Sequence, residues 1–299
     1  MEIIFNNKKY NAYKANLHTH SKTSDGSYTH EQLIDLYGSK NYDVLAFTDH
    51  RKTNPVSTFD AKGMTLISGI ELHPVGPRGI NWHILALGVP EDFEHTLPET
   101  GQEAVDNVVA AGGIAFVAHP YWCGFTSSEV ASLNGVCGIE VYNTSTRYIG
   151  KDYNMMCWDE LLQSGYKYTA LAVDDVHSYK DLFRAFTVIF AEDKSQKSLI
   201  EALKAGNFYA SQGPLFEEIS FEGRKLKAKF SPCTQVICCM KGSTGRCITA
   251  EDLGGPDTGV TEMTEFEIEF DPIYKDQYVR IQLKDAQGRM AWSNPFYIA

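Results

Sequence analysis

No apolar run in this sequence approaches the roughly 18 residues that a membrane-crossing helix needs. Its opening, Met1 to Lys9, also lacks the apolar stretch and small-residue cleavage site of a secretory leader. A cytoplasmic protein with no membrane segment is the expectation. Clustered lysine and arginine are missing too. The 27 basic residues stand against 38 acidic ones, a formal charge of −11, which disfavours nucleic acid as a partner because a phosphate backbone is held mainly by basic clusters. Such acidity fits either bound cations that offset it or plain solubility. The seven cysteines are odd in number and form no C-x-x-C pair, which argues against a disulfide scaffold. Zinc on Cys233, Cys238, Cys239 and Cys247 is disfavoured because adjacent Cys238 and Cys239 project to opposite faces of a strand; reduced, half-buried thiols are expected. There is no G-x-S-x-G elbow, no G-x-x-x-x-G-K-[ST] loop, no G-x-G-x-x-G fingerprint and no internal repeat.

What remains is ample for a core: 299 residues, 43% of them hydrophobic. Up to about residue 212, apolar runs of strand length alternate with helical patterns, the signature of β-α units and a parallel sheet. Thr29-His30-Glu31-Gln32 has the form of a capping box, and Leu33, Ile34, Leu36 and Tyr37 follow at helical spacing. A second helix is expected over 99–111, stopping at Gly112-Gly113, and a third over 195–205, stopping at Gly206-Asn207. After Gly213-Pro214 the helices cease. Residues 219–221, 225–230, 266–270 and 278–283 alternate as strands do, and 251–259 reads as a loop. The expected organisation is therefore α/β over 1–212, followed by a small β-sandwich over 213–299.

Chemistry gathers where strand-like runs end. Leu17-His18-Thr19-His20, Phe47-Thr48-Asp49-His50, Gly69-Ile70-Glu71, Trp82-His83, Ala118-His119-Pro120 and Asp174-Asp175-Val176-His177 each place imidazole or carboxylate at such a boundary. Alternation along a strand would point His18 and His20 the same way, and likewise Asp175 and His177, so each pair could grip one ion. Mixed imidazole and carboxylate suits zinc, manganese or iron.

The ordered series His18-x-His20, Ser24-Asp25-Gly26, Thr48-Asp49-His50, Gly69-Ile70-Glu71, His83, Ala118-His119-Pro120 and Asp175-x-His177 resembles that of the PHP (polymerase and histidinol phosphatase) superfamily, over residues 15–212. Gly138-Ile139-Glu140-Val141-Tyr142-Asn143, Tyr278-Val279-Arg280-Ile281 and Ala291-Trp292-Ser293-Asn294-Pro295 look most like its carbaryl-hydrolase-type (CehA/McbA-like) group. The resemblance implies a distorted (βα)7 barrel with its site at the C-terminal ends of the strands, holding two or three divalent ions. The first would take His18, His20, Glu71 and Asp175. The second would share Glu71 and add His83 and His119, and the third would take Asp25, His50 and His177. Relatives often carry histidine where this chain has Asp25.

Around these residues, Asp49 is expected to orient a neighbour rather than touch metal, Asp174 alternates away from the site, and Glu140 and Asn143 either face it or cap a turn. His30, His73 and His95 match no motif and read as surface or structural. For an anionic substrate, Arg147, Asn143 and Lys22 are the candidate contacts, with Arg51 and Arg184 behind them, against the plainer role of solvated loop cations. The expected activity is hydrolysis of a phosphoester in a small phosphorylated metabolite or nucleotide by a metal-bridging hydroxide, with His18, His20, Glu71, His119 and Asp175 at its centre. Two alternatives stand beside it: an ester or carbamate hydrolase of the carbaryl-hydrolase type, and a non-catalytic metal-stabilised scaffold with a binding β-domain.

Overall fold

A computed structural model of the chain describes residues 1–94, 100–254, 259 and 261–299; His95 lies outside them. The chain opens on a hairpin, β1 (Glu2–Phe5) and β2 (Lys8–Asn16). Asn6 and Asn7 make the turn at φ of 46° and 64°, a conformation asparagine tolerates and tight hairpins require. A ring of strands then forms from β2, β3 (Val44–Phe47), β4 (Thr65–Leu72), β5 (Ile84–Leu87), β6 (Ile114–Val117), β7 (Val136–Asn143), β8 (Thr169–Val173) and β9 (Phe186–Ala191).

The direction of these strands departs from the expected sevenfold βα repetition. β2, β3 and β4 run parallel, as do β6, β7 and β8. β5 is antiparallel to both β4 and β6, and β9 returns antiparallel beside β2. Helices α1 (His30–Gly38), α2 (Gly101–Ala110), α3 (Pro120–Cys123), α4 (Ser127–Val130), α5 (Met155–Gln163) and α6 (Gln196–Lys204) fill most connections, but no α-helix separates β3 from β4, β4 from β5, or β8 from β9. Between β8 and β9 a side chain replaces the ladder. Thr187 Oγ1 accepts from the Ala172 N–H at 3.3 Å and donates to the Ala172 carbonyl at 3.1 Å.

Local signals hold where capping chemistry sets them. Thr29 and Gln32 form the reciprocal cap of α1, and Thr100 with Glu103 does the same for α2. Alternate residues of the strands fill the ring's interior: Ala15 and Leu17, Val44 and Ala46, Ile67, Leu85 and Leu87, Ile114 and Phe116, Leu171 and Val173, Ile189 and Ala191. Each large side chain so buried contributes about 1.5–3 kcal/mol, and together they form the solid floor beneath the strand ends.

β10 (Phe208–Ser211) pairs with β9 and leads out of the ring. Beyond it, β11 (Phe216–Glu222) and β12 (Lys225–Cys233) precede β13 (Gln235–Met240) and β14 (Gly245–Thr249); then come α7 (Ala250–Gly254), β15 (Met263–Glu269), β16 (Tyr278–Lys284), β17 (Met290–Ser293) and β18 (Phe296–Tyr297). One antiparallel set is β11-β12-β15, extended by β1 alongside β11; the other is β14-β13-β16 with β17 and β18. Leu226, Phe230, Val236, Cys238, Phe266 and Ile281 from the two sets share one apolar core.

Part of the stretch expected as a loop is helical. Thr249 Oγ1 accepts from the Asp252 N–H at 3.2 Å while Asp252 Oδ2 accepts from the Thr249 N–H at 2.8 Å, a reciprocal cap that starts α7. Residues 255–258 of that stretch lie outside the described residues. The C-terminal strands are anchored to the ring by Arg280, which is buried and makes two bonds to Asp159 of α5, at 2.8 and 2.7 Å. Among the described residues no helix is long and apolar enough to cross a membrane. All seven cysteines are unpaired, Cys233 and Cys238 buried and Cys247 exposed.

Candidate metal centre

Six parallel strands release their chains at one mouth of the ring, and the donors follow from that geometry. His18 and His20 come just past β2, His50 just past β3, Glu71 near the end of β4, His119 just past β6, and Asp175 and His177 just past β8. His83 reaches the same mouth by the opposite route, because β5 is antiparallel and so begins where the others end. Isolated bridges pairing Thr19 with Val176 and His50 with Glu71 keep these segments extended beyond the regular strands.

Two donors sit in strained backbone. His119 has φ of 26° and Asp175 φ of 50°, conformations costing a non-glycine residue about 1–3 kcal/mol each and persisting only where surroundings enforce them. The enforcement is visible. The Asp175 N–H donates to the His18 carbonyl at 3.0 Å, and the His119 N–H donates to Glu140 Oε2 at 2.8 Å. Simple strand alternation therefore does not carry through Asp175 to His177, since β8 stops at Val173. The two side chains still meet, with His177 Nδ1 3.6 Å from Asp175 Oδ1.

Glu71 lies at the centre. Its Oε1 is 2.8 Å from His83 Nδ1 and 3.4 Å from His119 Nε2. Its Oε2 is 2.7 Å from His50 Nδ1, 3.6 Å from His18 Nε2 and 3.5 Å from both His20 Nε2 and His73 Nε2. On the next side, Asp175 Oδ1 is 3.1 Å from His20 Nε2 and 3.3 Å from His18 Nε2. Asp25, more exposed, is 3.4 Å from His50 Nε2 and 3.5 Å from His177 Nε2. Seven of the nine histidines thus converge on three carboxylates.

A set of donors held together only by mutual hydrogen bonds would leave none of them idle. Here four of the eight buried polar atoms without a hydrogen-bond partner among the described residues are His50 Nδ1, Glu71 Oε2, His73 Nε2 and Asp175 Oδ1. Leaving such an atom unsatisfied costs about 1–3 kcal/mol. Bonds of about 2.0–2.2 Å from nitrogen and oxygen to one cation place neighbouring donors at the separations seen here. Four overlapping groups satisfy that condition: His20, Asp25, His50 and His177; His18, His20 and Asp175; His50, Glu71 and His73; and Glu71, His83 and His119. The residues fit divalent cations.

A second ring of groups orients these donors. Glu140, wholly buried, takes His18 Nδ1 at 2.6 Å, leaving His18 Nε2 to face Asp175 and Glu71, the arrangement that fixes the tautomer of a metal-binding histidine. Asp49 accepts from the N–H and Oγ of both Ser21 and Ser24 and from Asn54 Nδ2, so it shapes the turn that presents Asp25. His30 takes its place in the same structural network, against Ser21 and Asn54. Asp174 turns away from the mouth to accept from Tyr37 and the N–H groups of Phe183, Arg184 and Ala185. Its burial outweighs these donors and pushes the carboxyl up to about 6.

Protonation in the metal-free site follows from the same contacts. Burial acts against charge on His18, yet Asp175, Glu140 and Glu71 outweigh it and hold the imidazole well above its ordinary value. Conversely, burial would raise Glu71 and Asp175, but His18 and neighbouring imidazoles hold both well below theirs. At His20 and His83 burial wins and lowers the pKa.

The cavity at the mouth has a volume of about 220 Å³ and is lined by Asp25, His50, Glu71, His83, His119, Trp122, Ser145, Thr146, Asp175 and His177. Cavities of about 350 and 420 Å³ elsewhere gather no comparable donors among the described residues. Asn143, Arg147 and Lys22, the expected substrate contacts, are not among the residues that line the mouth cavity. Asn143 is buried and donates to Glu140 Oε2 at 2.8 Å and Asp175 Oδ2 at 3.1 Å, so it positions carboxylates. Arg147 is engaged with Asp181 at 2.9 Å, the Lys180 carbonyl and the Tyr148 hydroxyl. Lys22 is exposed in the turn that follows Ser21. Arg184 is exposed and donates to the Lys180 carbonyl at 2.6 Å. Three residues not anticipated do line the cavity: Ser145, Thr146 and Trp122, whose ring is 5.3 Å from His83 and 5.1 Å from His119. His73, expected at the surface or in a structural role, is among the converging donors.

No family model matches the chain. Its structure is similar over 97% of its length to 95% of a two-domain protein from Bacteroides vulgatus, described as containing a predicted PHP-like metal-dependent phosphoesterase, with a TM-score of 0.52 and 17% identity. The chain has the PHP fold. Within that fold, 80 residues, 25% of this chain, are 38% identical to a phosphoribosyl 1,2-cyclic phosphate 1,2-diphosphodiesterase from Eggerthella lenta. That match spans 30% of the length of the curated relative.

Proposed function

We propose that this chain is a metal-dependent phosphoesterase acting on a small phosphorylated metabolite or nucleotide. The observation that carries the reading is the pair of oxygens on Glu71 at one buried mouth, Oε1 facing His83 and His119 and Oε2 facing His18 and His20. A carboxylate so placed can bridge two cations.

In this reading His18, His20, Glu71 and Asp175 hold one ion, Glu71 with His83 and His119 a second, and Asp25 with His50 and His177 a third. Zinc, manganese or iron suits the mixed donor set. When bound, such ions lower the pKa of water and neutralise charge on phosphate oxygens. The chain's residues supply the rest. Glu140 and Asn143 fix His18 and Asp175 in place, and the packed strand interior closes the floor against solvent. Ser145 and Thr146 offer hydroxyls at the wall, and Trp122 offers an apolar face. The cavity is smaller than the roughly 300–1,000 Å³ of sites that engulf a drug-sized ligand. A phosphoryl group enters while the remainder of the substrate rests outside, near Trp122.

We also place a division between the ring and the C-terminal strands near residue 212, after β10 has left the ring. The test of function is a panel of phosphomonoesters, phosphodiesters and aryl esters assayed with added Mn²⁺. Turnover of a phosphoester that disappears in His18→Ala, with folding retained, supports the reading; turnover of carboxyl esters or carbamates alone refutes it.

A further inference from the structure

Three of the unpartnered buried atoms belong to one group: His50 Nδ1, Glu71 Oε2 and His73 Nε2. Glu71 Oε2 is 2.7 Å from His50 Nδ1 and 3.5 Å from His73 Nε2, yet none of the three atoms has a hydrogen-bond partner among the described residues. With each imidazole unprotonated at the nitrogen named, the three atoms, which belong to one group close enough to share an ion, can all donate to a single cation, and such an occupant satisfies all three. His73 is held for this by its position and its neighbours. It stands two residues beyond Glu71, on the same face of the extended chain, with its ring 4.6 Å from that of His50 and 4.2 Å from that of His83.

We propose that His73 is a metal ligand and, with His50 and Glu71, forms a further divalent-cation position beside the three of the proposed function, on which this inference rests. The new position shares His50 with the one built on Asp25. His50 turns Nε2 toward Asp25 at 3.4 Å and Nδ1 toward Glu71 at 2.7 Å. A neutral imidazole has only one free lone pair, its other nitrogen carrying a proton. An ion taken through Nδ1 therefore leaves Nε2 protonated and unable to serve Asp25 and His177, and the two positions fill in exchange. The donor set, two nitrogens and one carboxylate oxygen, selects borderline cations such as zinc, cobalt, manganese or iron over magnesium or calcium.

The test titrates metal-free full-length protein with Co²⁺, following visible absorption and heat together, for wild type, His73→Ala, His73→Gln, Asp25→Ala and His18→Ala. The glutamine variant keeps side-chain bulk without an imidazole should alanine disturb folding, which far-ultraviolet circular dichroism reports. The expected result is that both His73 variants keep the number of binding steps, because the Asp25 position can fill instead, but weaken one of them by about tenfold or more with an altered cobalt spectrum, whereas Asp25→Ala retains the His73-dependent step. Binding and spectra identical to wild type in both His73 variants, while His18→Ala loses metal, overturn this inference and leave the proposed function standing. A wild-type protein that takes up no Co²⁺ overturns both.

Discussion

His18 Nδ1 lies 2.6 Å from Glu140 Oε1, with both side chains wholly buried, and this contact decides which nitrogen of His18 faces Asp175 and Glu71. Removing the negative charge at Glu140 while keeping its shape should loosen that choice. Glu140→Gln is expected to lower metal affinity and phosphoesterase activity about 10–100-fold, with the fold intact. Chelator-competition titration and steady-state kinetics on the same preparation check it. An unchanged metal affinity would show that the contact serves packing alone.

His18 and Glu71 are displaced in opposite directions in the metal-free site, which gives their contributions to stability a definite pH window. His18 is held above its ordinary 6.5, so its contribution is complete below that value and is lost as pH rises through the folded pKa. Glu71 is held below its ordinary 4.5, so its contribution is present above 4.5 and is lost as pH falls through the folded pKa. Both of these contributions are thus complete between 4.5 and 6.5, while the lowered His20 and His83 act against charge on the site in the same range. A bound cation must displace the proton on His18, so affinity falls with falling pH and protons are released on binding. The gain in melting temperature on adding Mn²⁺ should grow from pH 6 to pH 8, and calorimetry in buffers of different ionisation enthalpy should register the released protons. A gain that shrinks as pH rises contradicts this.

Arg147 and Asp181 should behave as one unit. Asp181 accepts from Arg147, from the N–H of Ser178 at 2.9 Å and from the N–H of His177 at 3.2 Å, so it ties the guanidinium to the loop that carries a candidate metal donor. Arg147→Ala and Asp181→Ala are each expected to weaken metal binding, and the double variant to be little worse than the more damaging single one, a coupling of about 0.5–3 kcal/mol. Full additivity in the double-mutant cycle would separate the two and return Arg147 to a direct role with substrate.

Much of the site is legible in the sequence because its donors stand at the ends of strands, where a change from apolar to polar residues marks the boundary. His18, His20, His50, Glu71, His119 and Asp175 all follow that rule. His73 followed it too: alternation from Glu71 places it on the same face, a signal overridden because no motif includes it. Strand direction was not legible, since nothing in the residues of Ile84–Leu87 or Phe186–Ala191 discloses that these strands run against the others. Nor were the fates of Asn143 and Arg147. Each is decided by a carboxylate more than 30 residues away, Asp175 or Asp181, and local pattern carries no trace of it. The short helix α7 was announced by Thr249 and Asp252, a cap hidden by the glycines that follow.

Arg280 offers a test of how the C-terminal strands are held. It is 1% exposed, makes two bonds to Asp159 and lies with its guanidinium carbon 4.9 Å from the Trp158 ring centre. Arg280→Ala leaves a cavity and strips Asp159 of its partner, and a loss of about 3–5 kcal/mol is expected. Arg280→Lys should recover little of it, because an ammonium cannot make the paired contact. Urea unfolding of the three proteins checks the order; equal midpoints would mean the strands are anchored elsewhere.

The measurement that bears most directly on the whole reading is the metal content of the full-length protein after equilibration with Mn²⁺ or Zn²⁺ and removal of free ion, compared with Glu71→Ala. Roughly two to three equivalents per chain are expected in the wild type, from the separate donor groups and the coordination numbers they support. Loss of at least two is expected in the variant, because Glu71 serves more than one group. Wild-type protein that retains less than about one equivalent, or a Glu71→Ala variant that retains as much as the wild type, would contradict a metal centre built around this carboxylate.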